Sequence, residues 1–307
     1  MPRLSVIIAT HKRAKILQRC LEHLEKQTIA PDLEVIVVSD GHDPATASLF
    51  DPAVSDKRPA GGNDNEALTA NRYALAAIRF MEIPKSQQAV ARNRGLDKST
   101  APYALFIGDD IFLAPDACEK HLAAHEAAQK LAKTNRVAVL GFTTWDPAVG
   151  ITPVMEWLEE TGWQFGYPLL KPYAQRMIPR YAQHRFTYTS NISIPTALAR
   201  EHQFREDVTL YGWEDTEWGV RLRQDSIGLY YEPDAKALHH HHVTLDDSLK
   251  RMETLGRSAV IVSQMNPELD RLPKGWKRMA YKLIAKLPTM RGKHAGAFLR
   301  GIAAGER

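Results

Sequence analysis

Near the N-terminus, one amphipathic segment lies between two apolar runs. This order constrains the fold more than any other feature of the sequence. Leu4–Ala9 and Leu33–Val38 are rich in β-branched residues and predict two buried strands. Between them, apolar residues recur at helical spacing over Ala14–Gln27 and predict a helix. A strand–helix–strand unit implies adjacent parallel strands joined by a right-handed crossover. Ligands of such sheets bind beyond the carboxyl ends of the strands, which are here Thr10–Arg13 and Ser39–Gly41.

The rest of the chain extends this layout into an α/β fold. Tyr103–Ile107 and Phe186–Ile194 predict further strands, and Gly228–Tyr231 with Lys236–His242 predicts a final strand pair. Ala67–Ile78 predicts a helix. We therefore expect a Rossmann-like, mostly parallel sheet flanked by helices, with a helical appendage at its C-terminal end.

Charge is distributed unevenly along the chain. Within a formal net charge of +4, the segment from Arg271 to Arg307 holds ten Lys or Arg residues and one acid, so it carries +9 and the rest −5. An acidic body with a basic tail argues against a nucleic-acid partner. We predict one domain over 1–245, with a nucleotide-binding half over about 1–115, an acceptor half over about 116–245, and a basic helical appendage over 246–307.

The basic tail also contains an amphipathic segment over 274–287. Its apolar side chains share one helical face: Trp276, Met279, Ala280, Leu283, Ile284 and Leu287. Such a helix either makes peripheral contact with an anionic membrane or packs against protein, and the sequence leaves both alternatives open.

The cysteine content and the N-terminus indicate the compartment. Cys20 and Cys118 give no disulfide framework, which favours a reducing environment. A strand-like run follows Met1 at once, so we expect no signal peptide, and no apolar stretch approaches the roughly 18 residues that span a bilayer. The predicted location is the cytoplasm, with the inner face of the membrane as a peripheral alternative.

Paired carboxylates end the third strand. Burying Asp109 and Asp110 after an apolar run costs free energy unless a positive charge compensates them. A divalent cation that carries a diphosphate would do so, because Mg²⁺ and Mn²⁺ prefer oxygen ligands; a turn or a helix cap is the structural alternative. Arg13, Arg92 and Arg94 supply guanidinium groups that suit phosphate contacts.

Two more clusters carry titratable groups. Tyr211–Glu217 holds three acids among aromatic residues before a helix predicted over Thr216–Asp225, and a semi-buried carboxylate there suits a general base. Acid enrichment at a helix start is the alternative. His239–His242 alternates between the two faces of a strand, where imidazoles can bind manganese or zinc or simply form a polar strand end.

In this order, the motifs resemble the inverting family-2 glycosyltransferases of the GT-A fold. The matching residues are Val6–Arg13, Val38–Gly41, Ala91–Gly95, Phe106–Asp110, Thr189–Ser193, Glu214-Asp215 and His239. The resemblance implies that a sugar moves from a nucleoside diphosphate sugar, by family habit a UDP-sugar, to a hydroxyl of a glycan, polysaccharide or lipid-linked acceptor. It also implies a divalent cation, Mn²⁺ or Mg²⁺.

The resemblance further implies a role for each matching position. The nucleotide would contact Ala9, Thr10, Arg13, Asp40, Arg92 and Asp109. The metal would be held by Asp110 and His239, with His241 as a further ligand left open. Asp215 would be the catalytic base with Glu214 beside it, and Ser190, Asn191 and Trp213 would contact the acceptor or the transferred sugar.

The chain departs from the family pattern at the metal motif, which is usually Asp-x-Asp. Its first position is Gly108, and this keeps open a non-catalytic carbohydrate-binding protein on a decayed transferase fold. A sugar nucleotidyltransferase is the second alternative, although the Gly-rich loop typical of that class is replaced by Thr10–Arg13. A zinc hydrolase is the third, without a helical His-x-x-x-His to support it.

Overall fold

A computed structural model describes residues 1–51, 75, 77–207, 212–269 and 271–307. Its first elements are β1 (Leu4–Thr10), α1 (Ala14–Glu25), β2 (Leu33–Asp40), α2 (Pro44–Ala47), β3 (Ala77–Ile83), α3 (Gln88–Lys98), β4 (Tyr103–Gly108), β5 (Ile111–Leu113), α4 (Ala117–Ala132) and β6 (Val137–Trp145). They are followed by α5 (Pro153–Thr161), α6 (Tyr167–Leu170), β7 (Arg176–Met177), α7 (Arg180–Gln183), β8 (Asn191–Pro195), α8 (Thr196–Glu201), α9 (Glu214–Gln224), β9 (Gly228–His239), α10 (Leu245–Met265), α11 (Trp276–Ile284) and α12 (Met290–Gly305).

The strands form one mixed sheet in the order β3-β2-β1-β4-β8-β6-β9-β5, with β7 paired to β9. The β3-β2-β1-β4 half is parallel throughout, and β6 is also parallel to β9. Strand β8 runs antiparallel to both β4 and β6. The predicted α/β fold, with a mostly parallel sheet and a helical C-terminal region, is confirmed.

Helices cover both faces of the parallel half, which explains why its strands are apolar without alternation. Val6 and Ile8 pack in one core cluster with Leu17 and Leu21 of α1. Ile7, which points to the other face, belongs to a second cluster that includes residues of α3. At Gly95 of α3, an added Cβ would lie 2.6 Å from the Cγ2 atom of Ile7, so glycine permits this close helix–strand contact.

The structure corrects several predicted element bounds. Residues predicted as a strand over Phe186–Ile194 form only the shorter β8, and the predicted final strand pair is the single strand β9. A register shift opposite Gly141/Phe142 accommodates the Pro233 region within β9. The helix predicted over Ala67–Ile78 lies outside the described residues for most of its length, and Ala77 and Ile78 belong to β3.

The C-terminal helices form a layer of their own against α9. Glycines permit close contact between α10 and α12: an added Cβ at Gly301 would lie 2.0 Å from the carbonyl oxygen of Glu253. Trp213 and Val220 pack into the same cluster as Ile302. None of the helices in the described part of the chain has the length and apolar composition that crossing a bilayer requires.

Candidate active site

The carboxyl ends of β1, β2 and β4 meet at one edge of the sheet and open into a cavity of about 650 Å³. These ends lie together because the three strands are parallel and therefore end at the same edge of the sheet. Arg94, Asn191 and Trp213 do not line this cavity; Arg94 instead forms ion pairs with Asp97 and Glu206. The other predicted site residues all line it: Ala9, Thr10, Arg13, Asp40, Arg92, Asp109, Asp110, Ser190, Glu214, Asp215 and His239.

The carboxylate pair at the end of β4 is held by residues that follow β1. The hydroxyl of Thr10 donates to Asp109 Oδ2 at 2.7 Å. The guanidinium of Arg13 reaches both acids, with Nη1 2.9 Å from Asp109 Oδ1 and Nη2 2.8 Å from Asp110 Oδ2. An added Cβ at Gly108 would lie 2.8 Å from Asp110 Oδ1, so the residue that departs from the family motif leaves room for the Asp110 carboxylate.

The pKa values of the two adjacent carboxyl groups are shifted in opposite directions. Burial, reinforced by the charge of Asp110, raises the pKa of Asp109 to about 6, against the opposing effect of Arg13. Burial also acts to raise the pKa of Asp110, but the hydrogen bond and charge of His239, together with Arg13, hold it well below its usual range. At neutral pH both carboxyl groups are therefore largely ionised, and Asp110 stays anionic to a lower pH than Asp109.

The described residues place one carboxylate and two imidazoles in a cluster suited to a metal. Ligand atoms of Asp110, His239 and His241 all lie within 4.8 Å of one another. The two imidazole rings stack with their centroids 5.4 Å apart, and a tight turn holds them there because the amide of His241 donates to the carbonyl oxygen of His239 at 2.9 Å. A donor set of one carboxylate oxygen and two imidazole nitrogens fits Mn²⁺ better than Mg²⁺, which prefers oxygen ligands alone.

The other two histidines of the run serve the structure. The ring of His240 points the opposite way, with Nδ1 2.6 Å from Asp146 Oδ2, and it stacks on Phe112. His242 Nδ1 lies 3.0 Å from the carbonyl oxygen of Val149. Of the two interpretations of the histidine run, the structural one, a polar strand end, therefore applies to His240 and His242.

A second group of acids that lines the cavity, Glu214 and Asp215, lies at the start of α9. Thr189 holds the carboxylate of Asp215 through its amide (3.1 Å) and its hydroxyl (2.8 and 2.9 Å). Nη1 of Arg92 lies 3.5 Å from Glu214 Oε1 and 3.6 Å from Asp215 Oδ1. Burial and the neighbouring Glu214 raise the pKa of Asp215 to about 6, despite the charge of Arg92 and the bonds from Thr189.

Arg92 itself is buried and incompletely paired. Its Nη2 donates to Gln88 Oε1 at 2.9 Å, and its guanidinium packs over the ring of Phe204. Its Nε and Nη1 have no hydrogen-bond partner among the described residues. A buried guanidinium with free donors on a cavity wall suits an anionic or hydroxylated ligand.

Asp40 ends β2 and lines the same cavity. Its carboxylate accepts from the ammonium of Lys85 and, at 2.6 Å, from the amide of Ser86. His11 Nδ1 lies 2.7 Å from the Asp40 carbonyl oxygen. Sequence reasoning identified Asp40 but missed Lys85, because nothing in the spacing links a residue after β3 to the last residue of β2.

Two of the predicted acceptor contacts are corrected by their positions. Asn191 is fully buried, and its amide nitrogen donates to the carbonyl oxygens of Ala235 (2.8 Å) and Phe142 (3.2 Å), so its side chain joins strands instead of facing the cavity. Trp213 is buried in the cluster formed with the C-terminal helices. Tyr211, from the same motif, lies outside the described residues.

A second cavity of about 740 Å³ adjoins the first. The two cavities share Gln164 and Phe165 as lining residues. The second is lined by aromatic and acidic side chains, including Phe142, Trp145, Tyr231, Glu156, Glu159, Glu160 and Asp234. No sequence pattern indicates this cavity, because its lining residues come from separate segments of the chain.

Curated relatives of the chain are glycosyltransferases. The validoxylamine A glucosyltransferase of Streptomyces hygroscopicus subsp. limoneus is 29% identical over 243 residues, which cover 74% of this chain and 49% of that protein. The putative glycosyltransferase EpsH of Bacillus subtilis (strain 168) is 27% identical over 123 residues, covering 39% of this chain and 30% of its own length. The chain thus spans at most about half the length of these relatives.

Solved structures show the same fold at low identity, and the family model identifies the chain. The mannosyltransferase PcManGT from Pyrobaculum calidifontis, in complex with GDP-Man and Mn²⁺, has a TM-score of 0.57 at 17% identity, covering 99% of this chain and 75% of that one. S. aureus TarS 1-349 in complex with UDP-GlcNAc has a TM-score of 0.55 at 14% identity, covering 98% and 81%. Both similarities support the GT-A fold. The model of glycosyl transferase family 2 matches residues 5–187, more than half of the chain, and the chain therefore belongs to this family.

Proposed function

We propose that the protein is a metal-dependent, inverting glycosyltransferase that moves a sugar from a nucleoside diphosphate donor, a UDP-sugar, to a hydroxyl acceptor. The observation that carries the proposal is the meeting, around one cavity, of a cluster suited to a metal and a half-buried carboxyl group, Asp215, with a raised pKa. Solved structures of similar fold bind GDP-Man with Mn²⁺ or UDP-GlcNAc, which supports a nucleotide-sugar donor and a divalent cation.

The nucleotide would occupy the edge formed by β1, β2 and β4. Ala9, Thr10 and Arg13 line this edge, and Asp40 accepts hydrogen bonds at its far side. Asp109, held by Thr10, would face the ribose or the metal. Arg92, whose Nε and Nη1 have no hydrogen-bond partner in the described part of the chain, would donate to the diphosphate.

Asp110, His239 and His241 would hold the cation. A bound Mn²⁺ or Mg²⁺ would offset the negative charge of the leaving diphosphate. The ring of His239 stacks on Trp145 at 5.2 Å between centroids, which orients its nitrogens toward Asp110. The protein's contribution is thus to fix the direction of the ligand atoms before the donor binds.

Asp215 would act as the general base. It takes the proton of the acceptor hydroxyl while the oxygen forms a bond to the anomeric carbon and the bond from that carbon to the diphosphate oxygen breaks. A single displacement from the opposite face inverts the anomeric configuration. Thr189 fixes the carboxylate, and Glu214 raises its proton affinity.

The acceptor would enter through the second cavity, which meets the donor cavity at Phe165 and Gln164. Aromatic faces and carboxylates suit a hydroxylated glycan or lipid-linked acceptor, because they offer stacking surfaces and hydrogen-bond acceptors. Ser190, which lines the donor cavity, would contact the transferred sugar. We assign these functions to a domain over 1–245, with 246–307 as its appendage, in a cytoplasmic protein.

The pH dependence of transfer follows from the raised pKa of Asp215. We expect kcat/KM to fall about tenfold per pH unit below about pH 6, because the base is then protonated, and to level off above that pH. Initial rates measured with saturating metal on both sides of pH 6 check this. A rate that is unchanged through pH 6 would remove Asp215 from the proposed role.

A nucleotide panel tests the donor. We expect UDP with Mn²⁺ to raise the melting temperature more than GDP, TDP or CMP with Mn²⁺, and more than UDP alone, because binding to the folded state adds RT ln(1 + [L]/Kd) to stability. Release of UDP from a UDP-sugar in the presence of Mn²⁺ then separates a transferase from a non-catalytic binding protein. Pyrophosphate release from a nucleoside triphosphate would identify a nucleotidyltransferase instead.

A further inference from the structure

Helix α11 carries an apolar face that none of the described residues covers. Trp276, Met279 and Leu283 are 74%, 67% and 65% exposed, and Leu287 is 52% exposed. The helical turn continues to Leu287, whose amide donates to the carbonyl oxygen of Ile284 at 3.0 Å. Because an α-helix has 3.6 residues per turn, spacings of three and four place the four side chains on one face.

The opposite face attaches the helix to the protein. Tyr281 packs against Phe298 of α12, with ring centroids 6.2 Å apart. The guanidinium of Arg278 forms a bidentate ion pair with Glu306, at 2.9 and 2.8 Å. The helix is therefore docked by one side, and the large apolar residues on its other side are presented to solvent.

Basic residues flank the exposed apolar face. Lys277 lies on one side of it, and Lys282 and Lys286 lie on the other; all three are exposed. They belong to the segment from Arg271 to Arg307, which carries +9. An apolar stripe bordered by lysines on a docked, oriented helix is typical of a surface that enters the headgroup region of a bilayer.

We propose that the exposed face of α11, formed by Trp276, Met279, Leu283 and Leu287, binds the surface of an anionic lipid bilayer. Charge complementarity favours this partner over a second copy of the chain, because a two-fold contact through the face would bring its lysines together. It also favours lipid over nucleic acid, whose phosphates would leave the four apolar side chains in water. The proposal stands independently of the proposed transferase activity.

Co-sedimentation with vesicles tests the proposal on the full chain. We expect retention on vesicles of equal parts phosphatidylglycerol and phosphatidylcholine, weak retention on phosphatidylcholine alone, and release by salt. The double variant Met279→Gln/Leu283→Gln should lower the partition coefficient at least about tenfold, since it removes apolar area from the bilayer contact. Lys282→Gln/Lys286→Gln should lower it on anionic vesicles only.

A matched control replaces exposed leucines elsewhere, as Leu131→Gln/Leu169→Gln, and should bind vesicles as the unchanged protein does. All variants change exposed side chains, so their melting temperatures, measured by circular dichroism, should equal that of the unchanged protein. Equal retention of Met279→Gln/Leu283→Gln and unchanged protein overturns the proposal, as does failure of the unchanged protein to bind anionic vesicles. Self-association without vesicle binding, lost in the same variant, would assign the face to a second copy.

Discussion

Asp215→Asn is expected to lower kcat by roughly 100- to 10,000-fold, the range that a positioned general base contributes. The replacement keeps the size of the side chain, and its carbonyl oxygen can still accept from the amide of Thr189. It removes the group that takes the proton of the acceptor hydroxyl. Because Asp215 is not one of the three residues of the metal cluster, the affinity for UDP with Mn²⁺ should stay within about twofold.

Two measurements separate this effect from a general loss of structure. Calorimetric titration with UDP and Mn²⁺ should give nearly the same dissociation constant for Asp215→Asn as for the unchanged protein. Asp246→Asn, which alters an exposed acid at the start of α10, should leave both kcat and binding unchanged. Near-normal turnover by Asp215→Asn would place the base elsewhere.

Asp110→Asn is expected to weaken Mn²⁺-dependent binding of UDP and to reduce turnover by at least about 100-fold, because the diphosphate loses the cation that offsets its charge. Asp110 is the member of the carboxylate pair whose pKa is lowered, so it stays anionic, and available to a cation, at a lower pH than Asp109. The Mn²⁺ concentration that gives half-maximal activity should rise in Asp110→Asn and in His239→Ala. UDP binding without metal should change much less.

His242→Ala provides the matched control for the histidine run. His242 is exposed and bonds to the carbonyl oxygens of Val149 and Gly150 instead of joining the Asp110 cluster. Its replacement should leave the Mn²⁺ dependence as it is. Equal effects of His239→Ala and His242→Ala on that dependence would argue against a metal held by Asp110, His239 and His241.

The parallel half of the sheet could be predicted because its determinants are local. β1, β2 and β4 are continuous apolar runs, and the polar residues that follow them fall at one sheet edge by topology alone. That is why Thr10, Asp40 and Asp109 were correctly brought together from sequence. Their position at one sheet edge can be predicted from the strand order alone, without any side-chain contact.

The other half depends on contacts that spacing does not encode. The sequence of Phe186–Thr189 predicts part of a strand, but β8 begins only at Asn191. Thr189 lies before it, and its hydroxyl donates to the carboxylate of Asp215. Asn191 lies within the motif that carries the family resemblance, yet its amide satisfies backbone carbonyls beside the register shift of β6 and β9. A motif indicated the right segment, but the tertiary hydrogen bonds decided which of its side chains face the cavity.

Hydrogen bonding likewise separates acids that look alike in sequence. Glu214 and Asp215 are neighbours at a helix start, and either could have been a dipole-stabilising acid. Only the fold shows that Thr189 fixes Asp215 and that Arg92 lies near both. Trp213, next to them, turns into the C-terminal helical layer.

The central claim is that a cation at Asp110, His239 and His241 and a base at Asp215 act on one donor in one cavity. A crystal structure of the protein with UDP and Mn²⁺, with data collected for manganese anomalous scattering, tests this most directly. The account predicts an anomalous peak bonded to Asp110 and His239 and to the diphosphate, with the uracil toward Asp40 and the β-phosphate facing Asp215. A nucleotide bound elsewhere, or manganese away from these three side chains, would contradict it.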